Sequence, residues 1–266
     1  MSFSTLFKSI LHQPHISSKL LNALPFIPEE PCEAWWGKFD LAEGETRSWT
    51  VGTSHLTVQR FQYEWRSPSQ RILMTTQAQV LLTPHLGTSP LAVRLIKPLH
   101  IPVDQPLFVY VIAPIWISLY TTNPTLLIDE KPSLPLKETW FGDNTREGEL
   151  CYSGPLEYGS QLSELIYQNY QIIIPILLNN GSREEGILKR LYLPFPSLSI
   201  FVDGHNRLWT EQLNMEWQGH HYPEIHINPG PPRSVPDIQK LRPASANIHP
   251  KDTWLTACKT LLRKAF

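Results

Sequence analysis

The segment QIIIPILLNNGSREEGILKRLYLP (171–194) carries the clearest indication of the fold class. Residues 171–178 are almost entirely apolar and rich in isoleucine, a composition typical of a buried β-strand. Pro175 removes one backbone donor from that run, so the sequence predicts a bulge or an edge position there. The residues NNGSREEG (179–186) are typical of a turn, and ILKRLYLP (187–194) reads as a second strand. The segment therefore predicts a β-hairpin.

Strand-like stretches recur on both sides of this segment. They include HLTVQRF (55–61), RILMTTQAQVLL (71–82), PLFVYVIA (106–113), IWISLY (115–120) and EIHI (224–227). They follow one another without helices between them, which favours antiparallel sheets over alternating strands and helices. The 25 prolines also disfavour a mostly helical protein. We predict an all-β, mainly antiparallel β-sandwich over residues 33–228, with an optional division into two fused lobes near residues 130–140.

Both ends of the chain differ from this β-rich middle. Residues 1–32 predict a short amphipathic helix and a linker, and residues 229–251 predict a proline-rich linker. In DTWLTACKTLLRKAF (252–266), apolar residues recur at helical spacing and the basic residues lie mostly off that stripe. This pattern predicts a C-terminal amphipathic helix. Its apolar stripe needs a cover, which is the protein's own β body, another protein or an anionic membrane surface.

The composition disfavours several classes of protein. The formal net charge is −1 with both signs mixed, so no nucleic acid partner is expected. The three cysteines form no CxxC pair and the N-terminus lacks the apolar core of a signal peptide, which together favour a cytoplasmic protein. The longest apolar run is too short to span a membrane. Because no GxSxG or nucleotide-binding motif occurs, no cofactor is predicted.

The stretch TWFGDNTREGELCYSG (139–154) contains the candidates for a ligand loop: Asp143, Asn144, Arg146, Glu147 and Glu149. In the structural interpretation, the Asp-Asn pair holds a turn through side-chain hydrogen bonds to the local backbone, and a strand resumes near Glu149. In the catalytic interpretation, Glu147, Glu149 and Cys151 project from one face of a strand. Two carboxyl groups so close would raise the pKa of one of them and permit acid–base chemistry. No histidine nearby supplies a base for the thiol.

A second candidate site is HHYPEIH (220–226). Glu224 and His226 point the same way in a strand, and His221 could fold back toward them over the intervening proline. Nitrogen and oxygen ligands of this kind hold zinc and other divalent metals. The spacing matches no cupin HxH or HExxH motif, and a loop of solvated histidines before a short strand is the more common cause of such a pattern. The sequence therefore predicts no metal, with His221, Glu224 and His226 as weak candidates.

Four segments together resemble a known family. They are WWGKFDLAEGETRSWTVG (35–52), LTVQRFQYEWR (56–66), KPLHIPVDQPLFVYVIAPIWISL (97–119) and TWFGDNTREGELCY (139–152). Their order is similar to that in the domain of unknown function 432 family, which consists of β-rich prokaryotic proteins. The resemblance runs from about Trp35 to about Asn228 and leaves out the terminal helices and the proline-rich segment. It implies a β-rich fold and a prokaryotic origin, and it assigns no catalytic or binding residue.

These observations favour a non-catalytic binding or protein-interaction module, with a peripheral position at a membrane surface as an extension of that prediction. The partner that the sequence suggests is another protein or an anionic membrane surface, reached through the C-terminal helix. The alternative is a metal-dependent or carboxylate-based hydrolase. Such an enzyme would use the 143–151 loop or the group His221, Glu224 and His226. The two functions need different surfaces. An enzyme requires a concave pocket where reactive groups converge, whereas a binding module needs only an exposed apolar or aromatic patch.

Overall fold

A computed structural model describes residues 33–59, 62–66, 71–73, 79–123, 125–142, 148–219 and 222–244. These residues form twenty β-strands and two single-turn 3-10 helices, Leu162–Glu164 and Phe195–Ser197. The predicted all-β, mainly antiparallel fold is confirmed. The predicted terminal helices, in residues 1–32 and 252–266, lie outside the described residues. Within the described part of the chain, no helix is long and apolar enough to cross a membrane.

The strands follow one another along the chain with short connections. The first ten are β1 (Gly37–Asp40), β2 (Thr46–Val51), β3 (Ser54–Gln59), β4 (Gln62–Arg66), β5 (Arg71–Leu73), β6 (Gln79–His85), β7 (Leu91–Ile101), β8 (Leu107–Pro114), β9 (Trp116–Thr121) and β10 (Leu127–Pro132). The other ten are β11 (Lys137–Gly142), β12 (Gly148–Ser153), β13 (Glu157–Gly159), β14 (Gln171–Asn180), β15 (Gly186–Leu193), β16 (Ile200–Val202), β17 (Leu208–Trp209), β18 (Gln212–Trp217), β19 (Glu224–Asn228) and β20 (Gln239–Arg242).

The strands assemble into four sheets. Sheet I has the order β1-β6-β9-β10, and sheet II is the meander β2-β3-β4-β5. Sheet III has the order β11-β12-β7-β15, in which β12 pairs with β7 in parallel and the other pairs are antiparallel. Sheet IV contains eight strands, with β14 between β8 on one side and β17 and β18 on the other. The main hydrophobic core draws buried residues from all four sheets.

The predicted hairpin at 171–194 is wrong, although both of its strands exist. β14 pairs with β8, β17 and β18 in sheet IV, whereas β15 pairs with β7 in sheet III. The turn between them is held by Asn180, whose amide donates to the carbonyls of Ile101 (2.9 Å) and Glu184 (2.8 Å). A turn reverses the chain whether or not the two strands pair. Because both faces of β14 are apolar, the strand is most stable in the middle of a large sheet, with cover on each side.

Pro175 lies in the interior of this central strand and not at a sheet edge. The carbonyl of Ile173 accepts a hydrogen bond from Thr210 N–H (3.1 Å), so Ile173 and Pro175 both direct their backbone groups toward β17 and β18. That neighbour is interrupted between Trp209, the last residue of β17, and Gln212, the first of β18. The missing N–H of proline therefore coincides with a gap in the adjacent strand, which explains how a central strand tolerates it.

The proline-rich segment that follows β19 packs on the β body as far as residue 244. β20 pairs with β16, and Val235 is buried in a second hydrophobic cluster beside Trp209. The guanidinium of Arg242 donates to the hydroxyls of Thr83 (2.7 Å) and Tyr120 (2.8 Å) in sheet I. The strand and the arginine contacts thus attach this end of the described chain to two different sheets. The lobe boundary expected near residues 130–140 stays a prediction.

Candidate functional site

The hairpin β11–β12 carries the part of the predicted ligand loop that the structure describes. Asp143, Asn144, Arg146 and Glu147 fall in the connection between the two strands, outside the described residues. In β12, Glu149 lies directly opposite Phe141, and Cys151 lies opposite Thr139. Opposite residues of an antiparallel pair share a face, so Phe141, Glu149 and Cys151 project from the same side of the hairpin. The predicted common face of Glu149 and Cys151 is therefore present.

A small crevice opens beside this face, between sheet III and the start of β19. It is lined by Phe141, Arg190, Leu191, Tyr192, Met215, Tyr222, Pro223 and Ile225. The ring of Phe141 packs on Tyr192 (centroids 5.0 Å apart) and on Tyr222 (4.5 Å apart). These residues come from β11, β15 and the segment before β19. The wall of the crevice is thus largely apolar, with three aromatic rings and one arginine.

Glu149 and Tyr192 are joined across sheet III. The Tyr192 hydroxyl donates to Oε1 of Glu149 at 2.6 Å. Burial raises the pKa of Glu149 above its ordinary value, and the hydrogen bond from Tyr192 opposes this rise only in part. Burial is also the main cause that raises the pKa of Tyr192, and the neighbouring Glu149 adds to it. Both groups therefore retain their protons to a higher pH than they would in water.

Cys151 belongs to the same cluster and is almost completely buried, with 1% of its surface exposed. Burial, reinforced by the charge of Glu149, raises the pKa of its thiol to about 12. The nucleophilic form of cysteine is the thiolate, which is scarcely populated at neutral pH when the pKa is this high. Cys151 packs with Ala92, Phe141 and Tyr192 as a small apolar side chain. Its surroundings are those of a structural cysteine.

Arg190 connects β15 to β11. Its guanidinium lies 4.8 Å from the centroid of the Phe141 ring and donates to the backbone carbonyl of Trp140 at 2.8 Å. Arg190, Tyr192 and Tyr222 are site residues that sequence reasoning did not identify. They stand about fifty to eighty residues after Phe141 in the chain, and only the pairing of sheet III and the position of β19 bring them together.

The weak metal candidates do not converge in the part of the chain that is described. Ile225 lines the crevice, so its neighbours Glu224 and His226 project from the opposite face of β19. His226 is exposed to solvent, and His221 lies outside the described residues. Among the described residues, no group of three or more His, Cys, Asp and Glu side chains is arranged to hold a metal ion.

The hairpin β11–β12 also exposes an apolar pair to solvent. Trp140 and Leu150 lie opposite each other, with 42% and 53% of their surfaces exposed. A Cβ atom on Gly148 would lie 2.5 Å from the carbonyl oxygen of Phe141 and 2.7 Å from Nε1 of Trp140. The absence of a side chain at Gly148 therefore lets the indole of Trp140 approach the backbone of β12 closely. This arrangement presents one large aromatic face and one leucine on the solvent side of the hairpin.

One family model matches most of the chain, including all four sheets. The model of a family described as a protein of unknown function, DUF432, matches residues 35–261. The chain belongs to the DUF432 family. The resemblance inferred from the sequence is confirmed, but its extent was underestimated: the DUF432 match continues past Asn228 through the proline-rich segment and into the predicted C-terminal helix. Neither a curated protein nor a solved structure matches the chain.

Proposed function

We propose that this DUF432 protein is a non-catalytic binding module of the cytoplasm, which recognises a partner protein through the hairpin β11–β12. The observation that carries the proposal is the opposed pair Trp140 and Leu150, half exposed on a strand pair at the edge of sheet III. Tryptophan is enriched at the centres of protein interfaces because it contributes a large contact area at little cost in side-chain entropy. Covering both side chains would remove apolar surface from water.

The chemistry of the neighbouring crevice supports binding over catalysis. A carboxylate-based hydrolase needs an ionised base or nucleophile that is free to meet its substrate. Glu149 instead accepts the hydrogen bond of Tyr192 and has a raised pKa, and the Cys151 thiol keeps its proton. Arg190 is stacked on Phe141 and bonded to the Trp140 carbonyl, so its main contacts hold the hairpin in place. These contacts give the hairpin a fixed shape, which favours recognition by lowering the entropy lost on binding.

The cytoplasmic location rests on the cysteines. The chain has three cysteines. Cys151 is free and buried, and its raised pKa keeps the thiol protonated and unreactive. A thiol of this kind suits a reducing compartment, where buried cysteines act as small apolar residues.

Site-specific photo-crosslinking in a native extract tests the proposal. A benzophenone amino acid at position 150 is expected to crosslink to one reproducible partner, and the same group at the exposed position Glu157 in β13 serves as the control. The crosslink should disappear when Trp140→Ser is added, while circular dichroism confirms that the variant remains folded. A crosslink between two copies of the chain would identify the partner as a second copy. Equal labelling from positions 150 and 157, unchanged by Trp140→Ser, would contradict the proposal.

A further inference from the structure

The strands β7 and β15 contribute basic side chains, and no acidic ones, to the outer side of their pair. The sequences LAVRLIKPLHI and GILKRLYL contain Arg94, Lys97, Lys189 and Arg190, and neither contains an aspartate or a glutamate. Arg94 and Arg190 lie directly opposite each other. The Arg190 guanidinium contacts the Phe141 ring and the Trp140 carbonyl, so the remaining basic side chains of the pair are Arg94, Lys97 and Lys189. Glu185, which directly precedes β15, is an acidic side chain at the end of this pair, and its Oε1 lies 2.9 Å from Nδ1 of His100.

A bulge in β7 places apolar surface among these charges. The register moves from Arg94 opposite Arg190 to Leu99 opposite Leu188, so residues 95–98 of β7 face Lys189 alone. Within the bulge, Leu95 is buried, whereas Ile96 is 95% exposed and is the most exposed large apolar side chain among the described residues. Ile187, in β15, is 45% exposed. We call the surface formed by Arg94, Ile96, Lys97, Ile187 and Lys189 the basic bulge face.

We propose that the basic bulge face docks on an anionic lipid surface, with Ile96 entering the boundary between headgroups and acyl chains. Interfacial binding combines buried apolar area with attraction between basic side chains and anionic lipids, and this face provides both on neighbouring residues. Lysine side chains can lie along the apolar region while their ammonium groups stay among the headgroups. A single isoleucine projecting from a bulge suits insertion into lipid better than it suits a flat protein interface, whose core is a contiguous packed patch.

The basic bulge face and its lipid partner are distinct from the residues and the partner protein of the proposed function. Trp140 and Leu150 in β11–β12 serve the protein contact, whereas the basic bulge face would set the location of the molecule. It also differs from an anchor in the C-terminal segment, because it uses folded strands of the β body. The hairpin contact, the basic bulge face and the C-terminal anchor use different residues, so one set of variants can test each of them separately.

Vesicle co-sedimentation of the full chain tests the inference. The protein is expected to bind vesicles of phosphatidylcholine mixed with phosphatidylglycerol, to bind phosphatidylcholine vesicles weakly, and to dissociate as salt is added. The double variant Lys97→Gln/Lys189→Gln should reduce the partition coefficient by about 25-fold, since each basic residue contributes about 1 kcal/mol and 1.4 kcal/mol is tenfold. Ile96→Asp should abolish binding. As all three side chains are exposed, these variants are expected to fold normally.

Matched controls use exposed residues elsewhere on the molecule. Lys38→Gln/Arg233→Gln removes two charges from other elements, and Ile166→Asp changes another isoleucine that is 74% exposed. Both controls should bind vesicles as the parent chain does. The inference would be overturned if the parent chain did not bind anionic vesicles. It would also be overturned if Leu261→Asp abolished binding while Lys97→Gln/Lys189→Gln left it intact. Binding of a single-stranded oligonucleotide with the same dependence on Lys97 and Lys189, and no binding to vesicles, would assign the face to nucleic acid and overturn it as well.

Discussion

The hydroxyl of Tyr192 donates a hydrogen bond to Oε1 of Glu149 at 2.6 Å, across strands that lie about forty residues apart in sequence. The carboxyl group is held among aromatic side chains, and its pKa is raised because burial outweighs the help of the hydroxyl. This pair lies where the hairpin β11–β12 meets β15. Its protonation state therefore affects how firmly the hairpin is attached to the rest of sheet III.

Glu149→Gln should change how stability depends on pH. Glu149 has a folded pKa above its ordinary value of 4.5, so the folded state binds its proton more tightly than the unfolded state does. Stability from this group is fully present below 4.5 and is lost as pH rises through the folded pKa. Glutamine at position 149 still accepts the hydrogen bond of Tyr192 but does not titrate, so the variant should not lose this stability as the pH rises. Urea denaturation across that pH range should show a decline for the parent that is smaller for Glu149→Gln, and parallel curves would contradict the assignment.

Tyr192→Phe should destabilise the protein by about 1–3 kcal/mol at neutral pH, the range for leaving a buried acceptor without its partner. The pKa of Glu149 should also rise further, because the hydroxyl is the contact that lowers it. Denaturant titrations at neutral and acidic pH measure both effects. The loss should shrink once Glu149 is protonated, and it should be smaller in the Glu149→Gln background. A loss equal in both backgrounds would mean that the hydroxyl acts only through packing.

Cys151 should resist alkylation in the folded protein. Its thiol has a pKa raised to about 12 and 1% of its surface is exposed, so the thiolate is both rare and inaccessible at neutral pH. Iodoacetamide labelling followed by peptide mass spectrometry measures the modified fraction at this position. We expect little modification in the native protein and complete modification in denaturant. Rapid native labelling would show that Cys151 is reactive and would revive the catalytic interpretation of β12.

Gly148→Ala should cost about 1–3 kcal/mol, a typical result of overpacking. The new methyl group would lie 2.5 Å from the Phe141 carbonyl oxygen, which belongs to the backbone and cannot move alone. Gly204→Ala is the matched control, since nothing lies within 4 Å of a Cβ atom there. That change should leave the free energy of unfolding within about 0.5 kcal/mol of the parent. Thermal or urea denaturation of both variants distinguishes a crowded glycine from an open one.

The local sequence patterns predicted where the strands are, but they did not predict which strands pair with each other. The apolar runs at 106–113 and 171–178 predicted strands, and β8 and β14 are there. The partner of β14 could not be predicted, because the turn after it signals only a change of direction. The same limit applies to Pro175, whose tolerance depends on a gap between β17 and β18 that lies more than thirty residues further along the chain.

The sequence by itself determined the alternation that puts Glu149 and Cys151 on one face, since successive side chains of any strand point to opposite sides. Only the tertiary structure decided what those groups can do. Their pKa values depend on burial and on Tyr192, and the bulge that exposes Ile96 depends on the register between β7 and β15. Backbone geometry is local and repeats along the chain, whereas desolvation and register arise from contacts between segments far apart in sequence.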